Sequence, residues 1–599
     1  MIYDDEITGK AYDARLMKRL LAFTKPYKKL ILAGVILTLL ASFLQLLGPY
    51  LTKVAIDRYI ALNNISGLLL ILIIYLLVMI FVFVAQFFQI FVTQYFGQRL
   101  MFDIRSNIFR HLQSMSLRFF DKNPVGRLMT RVTSDVESLN QIFTQGIVTI
   151  FGDFFLLAGI IGALIYLDTR LALWTFSVIP ILFFISFIFR SRVRESFRRI
   201  RKWVARINTY LQENLTGMSI VQIFNRTEKN FEKFSEINFE HTRAHIQTVF
   251  YYALFYPAIE FVGAFAIALV IWRGGIYKIE GVTTFGALVA FIQYAQMFFR
   301  PISDLSEKYN ILQQAMASSE RIFKLLDTRQ EILPPLAPIQ VPNIAGQIAF
   351  KKVYFAYNNN DFVLKDISFE LGGGESVAIV GHTGAGKTSL INILGRHYEI
   401  NTGQILIDGI PIKDWNLDTL RNQMAVVLQD VFLFSGTVRD NIRLGNSDIS
   451  DDVIEWAAQQ VNAHRFIAQL PRKYDTEVKE RGTTLSMGQK QLISFARALV
   501  RNPRILILDE ATSSVDTETE FLIQDALKTL MKGRTSLIIA HRLSTIKHVN
   551  RIIVLHKGTI REIGTHQELL SKQGLYYQLY QLQYKYQETY NLDTISHNQ

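Results

Sequence analysis

The sequence predicts an α-helical polytopic membrane domain with six spans and long cytoplasmic stalks, followed by an α/β domain. Of the 599 residues, 50% are hydrophobic and only 19% are charged, whereas a soluble chain carries about 25% charged residues. Charge-free apolar windows recur through the first half of the chain, and strand-like runs leading into a glycine-rich loop follow in the second half. The first half is therefore suited to lipid and the second half to water.

Six segments are long and apolar enough to span a bilayer, which takes about 20 mostly apolar residues in a helix. They are residues 30–56, 66–92, 143–167, 170–190, 248–272 and 282–300. Several prolines then cluster where the apolar pattern gives way to a strand pattern. We therefore predict a membrane domain over 1–326, a linker over 327–345, the α/β domain over 346–582 and a polar tail over 583–599.

Positive charge orients the spans. Basic residues crowd the connections after the second and fourth spans, as in the run from Arg190 to Arg206, while the other connections are short and nearly neutral. Because cytoplasmic loops carry the excess of lysine and arginine, we predict cytoplasmic termini in a multi-pass protein of the cell (inner) membrane. The basic residues of these connections account for the net charge of +13, so we expect no nucleic-acid partner. The lack of cysteine excludes a disulfide scaffold and a cysteine nucleophile.

The two basic connections are long enough to form helical stalks below the bilayer, from residue 92 toward 115 and from 190 toward 212. A turn-like stretch from Phe119 to Gly126 interrupts the first stalk. The basic, amphipathic stretch from Ala11 to Leu30 is expected to lie on the inner membrane face.

Two acidic residues fall inside predicted spans, Asp153 in the third and Glu260 in the fifth. A charge at mid-bilayer costs about 2.5–3.5 kcal/mol on insertion scales, so such groups usually face a cavity or a partner. One hypothesis is that one or both line an aqueous substrate pathway and favour cationic amphiphiles. The alternative is a neutral, hydrogen-bonded packing residue at each position.

A phosphate-binding loop follows the strand-like run Ser376–Val380. It has the pattern G-x-x-x-x-G-K-[ST], and its residues are Gly381, His382, Thr383, Gly384, Ala385, Gly386, Lys387, Thr388 and Ser389. The glycines let backbone N–H groups wrap phosphates, Lys387 reaches the β- and γ-phosphate oxygens, and Thr388 offers a ligand to Mg²⁺. The strand–loop–helix context predicts an α/β domain of the P-loop nucleoside triphosphatase type.

A second acidic element belongs to the same chemistry. The apolar run Ile505–Leu508 has the pattern of a buried strand and ends in Asp509 and Glu510. The carboxylate of Asp509 suits coordination of Mg²⁺, and that of Glu510 suits holding a water for in-line attack on a γ-phosphate.

The remaining motifs resemble those of ATP-binding cassette (ABC) proteins. In a shared order along the chain, they are the stacking aromatic Tyr357, the Q-loop Gln429, the exporter-type loop Thr476–Gly482, the signature-like Leu485–Gln489, the D-loop Ser513–Asp516 and the switch residue His541. The resemblance implies that Tyr357 stacks on adenine and that Glu510 polarises the attacking water. It also implies that His541 senses the γ-phosphate, and that Gln429 joins Thr388 and Asp509 around Mg²⁺.

Six spans fused to one cassette resemble an ABC exporter half-transporter over nearly the whole chain. In that family the signature segment contacts the nucleotide bound to the opposite cassette. The resemblance therefore implies a second half-transporter as partner, with Ser486, Gly488 and Gln489 completing the partner's ATP site. It also implies coupling helices near Phe119–Gly126 and near Glu213–Ile223.

Met487 departs from the family pattern, because it stands where the signature usually has its first glycine. A long side chain there would lie where backbone approaches phosphate. Glu510 and His541 are both present, so this chain's own ATP site has its catalytic residues. The combination favours a heterodimer with a partner of opposite defects. An ordinary homodimer that tolerates Met487 is the alternative.

The resemblance implies ATP-driven export of amphiphilic compounds, drugs or lipids, by alternating access across the lipid bilayer. A dedicated lipid flippase would use the same machinery. From another class, an ATP-gated channel or a nucleotide-sensing membrane protein would also combine spans with a cassette. The presence of both Glu510 and His541 counts against these switches, because a protein that only binds nucleotide could lose them.

Overall fold

The computed structural model describes residues 13–341, 343–358, 361–479, 482–509, 517–540, 546 and 549–583. The chain divides into two compact units. Residues 1–113 and 125–328 form the first, here called the membrane unit, and residues 114–124 and 329–599 form the second, the α/β unit. A helical unit followed by an α/β unit confirms the predicted fold class.

Long helices make up the membrane unit. In chain order, with α4 belonging to the α/β unit, they are α1 Ala14–Phe23, α2 Lys28–Val54, α3 Ile65–Gln113, α4 Leu117–Lys122, α5 Val125–Thr130, α6 Val136–Gln141, α7 Val148–Leu167, α8 Thr169–Phe176, α9 Ile179–Thr216, α10 Met218–Ile223, α11 Thr227–Ile279 and α12 Phe285–Leu326. Short π-helical turns, Ala55–Ile60, Arg131–Asp135 and Ile142–Ile147, continue α2 and flank α6.

Within the described residues, five helical segments are long and apolar enough to cross a membrane. They are Lys25–Ile60, Ile65–Gln113, Val125–Leu167, Thr169–Thr216 and Thr227–Ile279, and they contain the first five predicted spans. The sixth predicted span falls on α12, whose apolar stretch Phe285–Phe298 is shorter. Polar residues follow that stretch from Arg300 onward, although the helix continues to Leu326.

The helices extend beyond the predicted spans as expected, because α3 runs without a break to Gln113 and α9 runs to Thr216. The 49 residues of α3 extend over about 73 Å at 1.5 Å per residue, more than twice the hydrocarbon core. A short helix follows each stalk, α4 after the first and α10 after the second.

The amphipathic helix α1 is attached to the C-terminal end of α12. Asp13 caps its first turn, and Leu20 on its apolar side is fully buried. Two N–H groups of Arg19 donate to the carboxylate of Asp327, both at 2.7 Å, and the same guanidinium lies 4.2 Å from the ring centre of Phe323. These contacts join α1 to the C-terminal turn of α12.

A buried ion-pair network connects the π-turn before α6 to α12. Asp135 accepts hydrogen bonds from Arg131 at 2.8 Å, from Arg321 Nε at 3.0 Å and from the Ser318 hydroxyl at 3.0 Å. Because these partners supply donors to both carboxylate oxygens, the buried charge of Asp135 is compensated.

The α/β unit alternates strands and helices. Its strands are β1 Ile348–Ala356, β2 Phe362–Leu371, β3 Ser376–Val380, β4 Thr402–Ile407, β5 Ile410–Pro411, β6 Met424–Val427, β7 Gly436–Thr437, β8 Glu477–Val478, β9 Ile505–Asp509, β10 Thr535–Ile539, β11 Arg551–His556 and β12 Thr559–Gly564. Its other helices are α13 Lys387–Leu394, α14 Leu417–Asn422, α15 Val438–Arg443, α16 Asp451–Gln460, α17 Ala463–Ile467, α18 Met487–Val500, α19 Thr517–Met531, α20 His566–Ser571 and α21 Leu575–Gln583.

A six-stranded sheet with the order β12-β11-β3-β10-β9-β6 forms the centre of the α/β unit. All neighbouring pairs are parallel except β11 with β12. Successive residues enter opposite cores: Val377 and Ile379 pack on one face, while Ala378 and Val380 pack on the other. Burial on both faces explains the continuous apolar runs that the sequence shows for these strands. A second, antiparallel sheet has the order β2-β1-β4-β5.

The short helix α4 packs on the α/β unit, although it lies between helices of the membrane unit in sequence. The hydroxyl of Tyr398 donates to the carboxylate of Asp121 on α4. Arg118 of the same helix donates to the Ala356 carbonyl at 3.4 Å and lies 3.7 Å from the Glu331 carboxylate. These polar contacts attach the connection between α3 and α5 to the unit that carries the phosphate-binding loop.

Candidate nucleotide site

Four segments meet at one edge of the central sheet. In the register of the sheet, Ile539 at the end of β10 lies opposite Ile379 of β3 on one side and Asp509 of β9 on the other. Val427 of β6 likewise lies opposite Leu508 of β9. Because the four strands are parallel, their carboxyl ends lie on the same edge, where α/β sheets bind ligands. The phosphate-binding loop, Asp509 and Gln429 therefore lie together.

The phosphate-binding loop needs glycine for space as well as for backbone conformation. Gly384 has a φ of +81° and Gly386 a φ of +102°, values in the region that glycine tolerates and other residues avoid. A Cβ on Gly381 would lie 2.3 Å from the carbonyl oxygen of Leu555, and one on Gly386 would lie 2.7 Å from Leu364 Cδ2. The loop can follow this path only with glycine at these positions.

Lys387 begins α13 and turns back into the loop. Its ammonium donates to the carbonyl oxygens of Gly381 at 2.7 Å and His382 at 3.2 Å. The side chains of His382, Thr383 and Thr388 are exposed at the rim of the loop, whereas Ala385 and Ser389 are buried. The loop thus presents backbone and hydroxyl groups around a buried positive charge, as phosphate binding requires.

The buried charges at the edge of the sheet influence each other. Burial lowers the pKa of Lys387, and the negative charge of Asp509 opposes that shift. Burial raises the pKa of Asp509, Lys387 opposes the rise, and the nearby carboxylate of Asp430 adds to it. A cation bound between the two carboxylates would relieve their repulsion. Asp430 was not predicted as a site residue, although its position directly after Gln429 could have indicated one.

The donor set at this edge fits Mg²⁺. Asp509 contributes a carboxylate, Thr388 a hydroxyl and Gln429 an amide oxygen, and the latter two side chains are exposed. Hard oxygen donors of this kind are the ligands that Mg²⁺ accepts, with water and phosphate oxygens completing its shell. The described residues contain no group of three or more His, Cys, Asp or Glu side chains that could hold a metal ion alone. The ion would therefore need nucleotide phosphates as further ligands.

Tyr357 follows β1 directly and lies beside α13. Its hydroxyl is 3.0 Å from the Ser389 hydroxyl, and Asn392 donates to it at 3.5 Å. The edge-on rings of Phe355 and Tyr398 lie 4.8 and 5.1 Å away between ring centres. These contacts fix the ring of Tyr357 next to the phosphate-binding loop, where an aromatic ring can stack on a base. Asn392 has no sequence signal that would have singled it out.

The signature-like segment forms the start of α18. The Ser486 hydroxyl oxygen accepts the backbone N–H of Gln489 at 3.2 Å, and the Gln489 side chain accepts the Ser486 N–H at 3.0 Å. Gly488 is buried, while Met487 is 46% exposed in the first turn. The helix start is therefore intact despite the methionine. Leu492 and other α18 residues pack in a different hydrophobic core from Ala385 and α13.

The two acidic residues in the membrane unit have different surroundings. Asp153 on α7 forms an ion pair with Lys308 on α12, and the two side chains are 26% and 12% exposed. Glu260 on α11 is exposed on this chain. The two acids lie on separate helices. Lys308 was not predicted as a partner of Asp153, because it lies beyond the last apolar window of the sequence.

Several predicted site residues lie outside the described part of the chain. They are Glu510, the D-loop Ser513–Asp516, His541 and, within the exporter-type loop, Glu480 and Arg481. In sequence, Glu510 directly follows Asp509 and His541 directly follows Ala540, whose N–H donates to the Ile379 carbonyl at 3.3 Å. The polar tail from residue 584 onward is likewise outside the described residues.

Comparisons with known proteins give matches to both units. Residues 31–302 match the family described as the ABC transporter transmembrane region, and residues 364–513 match the family described as ABC transporter.

Relatives align with nearly the whole chain. YknV of Bacillus subtilis (strain 168), an uncharacterized ABC transporter ATP-binding protein, is 42% identical over 97% of this chain and 96% of its own length. An ATP-dependent lipid A-core flippase of Syntrophus aciditrophicus (strain SB) is 38% identical, with 95% of each chain covered. A presumed multidrug export ATP-binding/permease protein of Staphylococcus aureus (strain NCTC 8325 / PS 47) is also 38% identical, over 95% of this chain and its entire length.

Replacement of Gly381 by alanine is expected to weaken nucleotide binding at least about tenfold, because the new Cβ would meet the Leu555 carbonyl and displace the loop. The matched control is Gly372→Ala, whose Cβ would make an ordinary 3.6 Å contact with Glu375. Titration with a fluorescent ATP analogue measures the affinity, and thermal melting shows that both variants fold. Wild-type affinity in a folded Gly381→Ala protein would contradict this account of the loop.

Proposed function

This chain belongs to the ABC transporter family, as an exporter of the multidrug or lipid type, and we propose that it exports amphiphilic drugs or lipids by ATP-driven alternating access in a dimer of half-transporters. One observation carries the proposal: a unit of membrane-length helices is continuous in sequence with an α/β unit whose phosphate-binding loop, Asp509 and Gln429 share one sheet edge. The cassette binds ATP at that edge, where Thr388, Gln429 and Asp509 would hold Mg²⁺.

Hydrolysis of ATP is assigned to Lys387 and to two residues that follow β9 and β10 in sequence. Lys387 neutralises the phosphates, Glu510 orients and polarises the attacking water, and His541 contacts the γ-phosphate. The ring of Tyr357 stacks on adenine from a position fixed by its hydroxyl contact to Ser389. Mg²⁺, when bound with ATP, offsets the negative charge that develops on the phosphates.

Replacement of Glu510 by glutamine is expected to lower ATP turnover by about 10²–10⁴-fold, because the amide cannot accept a proton from the attacking water. ATP binding should stay unchanged, since the loop and Lys387 remain. Steady-state phosphate release in lipid nanodiscs measures turnover, and binding of the fluorescent analogue serves as the control. Wild-type turnover in the Glu510→Gln variant would refute this assignment.

Movement of the cassettes reaches the spans through the connections between them. The contacts of α4 with Tyr398 and Ala356 support a role for α4 as one coupling helix, because α4 is directly joined to the stalk of α3 and to α5. The short helix α10, between the long helices α9 and α11, is the candidate for the second. ATP-driven closure of two cassettes would then pull on these helices and alternate the opening of the spans.

A dimer is needed because this chain's signature segment serves a partner's nucleotide. Ser486, Gly488 and Gln489 open α18, whose free N–H groups and dipole suit a phosphate. The Ser486 oxygen accepts the Gln489 N–H, so its hydroxyl proton stays available to a phosphate oxygen. The exposed Met487 side chain favours a heterodimer, in which the partner's ATP site is the weaker of the two. A homodimer that tolerates Met487 is the alternative.

The chain purified alone in lipid nanodiscs is expected to bind ATP but to hydrolyse it slowly, because the heterodimer lacks its second half. Phosphate release is measured with and without cationic drugs and lipids, and nucleotide binding shows that the cassette is folded. Strong, drug-stimulated turnover by the chain alone would contradict the heterodimer and support a homodimer.

The substrate pathway is proposed to use Glu260 more than Asp153. Lys308 compensates the charge of Asp153, which reduces the attraction of this site for a cation. Glu260 is exposed on a spanning helix, and a carboxylate in that position is costly against lipid. Its exposed side is therefore expected to face an aqueous cavity or the second half-transporter, where it would attract cationic amphiphiles.

The Asp153→Asn/Glu260→Gln double variant is expected to export organic cations several-fold more slowly than the wild type, with export of neutral amphiphiles retained. Efflux of a fluorescent cation and of a neutral dye from cells gives the ratio. The single Asp153→Asn variant is the control and should have the smaller effect. Unchanged export of organic cations by the double variant would end the hypothesis.

Two other functions make different predictions. A dedicated lipid flippase would move lipids and ignore drugs, and the relative named as a lipid A-core flippase gives that possibility weight. An ATP-gated channel would show single-channel conductance when ATP is added.

The membrane is expected to be the cell (inner) membrane, with both termini and the cassette in the cytoplasm, because the basic residues cluster on the stalk connections.

A further inference from the structure

Arg497 lies on the signature helix α18 and has unusual partners for a partly buried arginine. It is 11 residues beyond Ser486 in sequence, about 16 Å along the helix. Its Nε donates to the Asn441 backbone carbonyl at 2.8 Å, one terminal nitrogen donates to the Phe432 carbonyl at 3.1 Å, and the other donates to the Asn441 side-chain oxygen at 3.2 Å. Burial lowers the pKa of Arg497 to about 10, so it stays charged at neutral pH.

Arg497 makes no ion pair with an acid among the described residues, so the charge is compensated by carbonyl and amide oxygens. A partly buried positive charge normally has an acidic partner, because removing the charge from water is costly. A planar guanidinium can reach three separately placed acceptors at once, which a lysine ammonium on a flexible stem cannot do with the same geometry. The contacts therefore depend on arginine at this position.

Asn441, at the other side of the contact, is 1% exposed and fully hydrogen-bonded. Its amide nitrogen donates to the Phe434 carbonyl at 2.8 Å and to the Thr437 carbonyl at 3.0 Å. Its amide oxygen accepts the Phe434 N–H at 2.8 Å in addition to Arg497. Both donors and both lone pairs of the amide are thus used, so its orientation is fixed.

These bonds hold one particular segment, residues 431–436, which follows Gln429 and Asp430 and leads to α15. Arg497 and Asn441 bind its backbone at the Phe432 carbonyl, the Phe434 N–H and the Phe434 carbonyl. The side chains of Phe432 and Phe434 are meanwhile 51% and 57% exposed. Leu433, between them, is fully buried in the same hydrophobic core as Leu492 of α18. The segment is therefore attached to α18 by this apolar contact and by the hydrogen bonds that pass through Arg497 and Asn441.

We propose that Arg497, acting through Asn441, is a positioning residue that fixes the segment after Gln429 to the signature helix, so that displacement of one carries the other. The inference rests on the proposed function, because it connects the Q-loop at this chain's ATP site to the signature segment that serves the partner's ATP site. Arg497 contacts no residue of the phosphate-binding loop. Its loss should therefore affect the turnover number more than the KM for ATP.

The absence of cysteine allows a direct test on the full chain. Spin labels are placed at Phe432→Cys in the segment and at Met487→Cys at the start of α18, both exposed positions. The labelled chain is diluted with unlabelled chain in nanodiscs so that only distances within one chain are recorded. The comparison uses Arg497→Met and Arg497→Lys, with Arg501→Met as control. Arg501 lies at the end of the same helix and donates to Asn422 at 2.7 Å, away from the segment.

Both Arg497 variants are expected to widen the distance distribution about twofold or more, and Arg501→Met to leave it unchanged. In unlabelled protein, assembled with a partner chain if one is required, the Arg497 variants should lower kcat for ATP about fivefold or more, with KM nearly unchanged.

A wild-type distance distribution in folded Arg497→Met protein would overturn the proposal, as would equal widening in Arg501→Met. If Arg497→Met does not fold, a wild-type distribution in Arg497→Lys has the same meaning. If the wild type itself hydrolyses no ATP, the proposed function fails, while the distance measurement still decides the role of Arg497.

Discussion

The parallel order of β6, β9, β10 and β3 is the constraint on which the nucleotide site depends. It requires a sheet buried on both faces, and the alternation of Val377, Ala378, Ile379 and Val380 between two cores satisfies that requirement. Once the strands are parallel, the segments that leave their carboxyl ends have to share one edge. The phosphate-binding loop, Asp509 and the Q-loop residue Gln429 are thereby brought together from segments far apart in sequence. There, burial lowers the pKa of Lys387 and raises that of Asp509, and the opposite charge of each residue opposes the shift of the other.

Acidic residues of the membrane unit also have basic partners, because an unpaired charge in such a unit is costly. Asp135 is compensated by Arg131 and Arg321, and Asp153 by Lys308. Glu260, by contrast, is exposed on a spanning helix of this single chain. The α/β unit is incomplete in a comparable sense, because its signature helix presents a capped but exposed N-terminal turn. A second half-transporter would cover both features, which connects the electrostatics of the spans with the chemistry of the cassette.

Local patterns carried most of what could be predicted. Apolar windows located the spans because a bilayer imposes a length and a composition on any helix that crosses it. The phosphate-binding loop was predictable because one strand, one loop and one helix supply all its geometry. The limits of α12 were less clear, since its apolar stretch is shorter than its helix. The charge partners could not be predicted: Asp153 and Lys308 are 155 residues apart, and Asp135 and Arg321 are 186 apart. Arg497 belongs to the same class, because two of its three acceptors are backbone carbonyls, which have no sequence signal.

The central claim is that ATP hydrolysis drives net export, and vesicle transport tests it most directly. Inside-out membrane vesicles containing this chain, with any chain that copurifies with it, are supplied with a fluorescent amphiphile, and its accumulation is followed over time. The account predicts accumulation above the external concentration with Mg²⁺ and ATP, and none with a non-hydrolysable ATP analogue. Equal permeation in both directions that the non-hydrolysable analogue also supports would contradict it, because that is the behaviour of a nucleotide-gated pore.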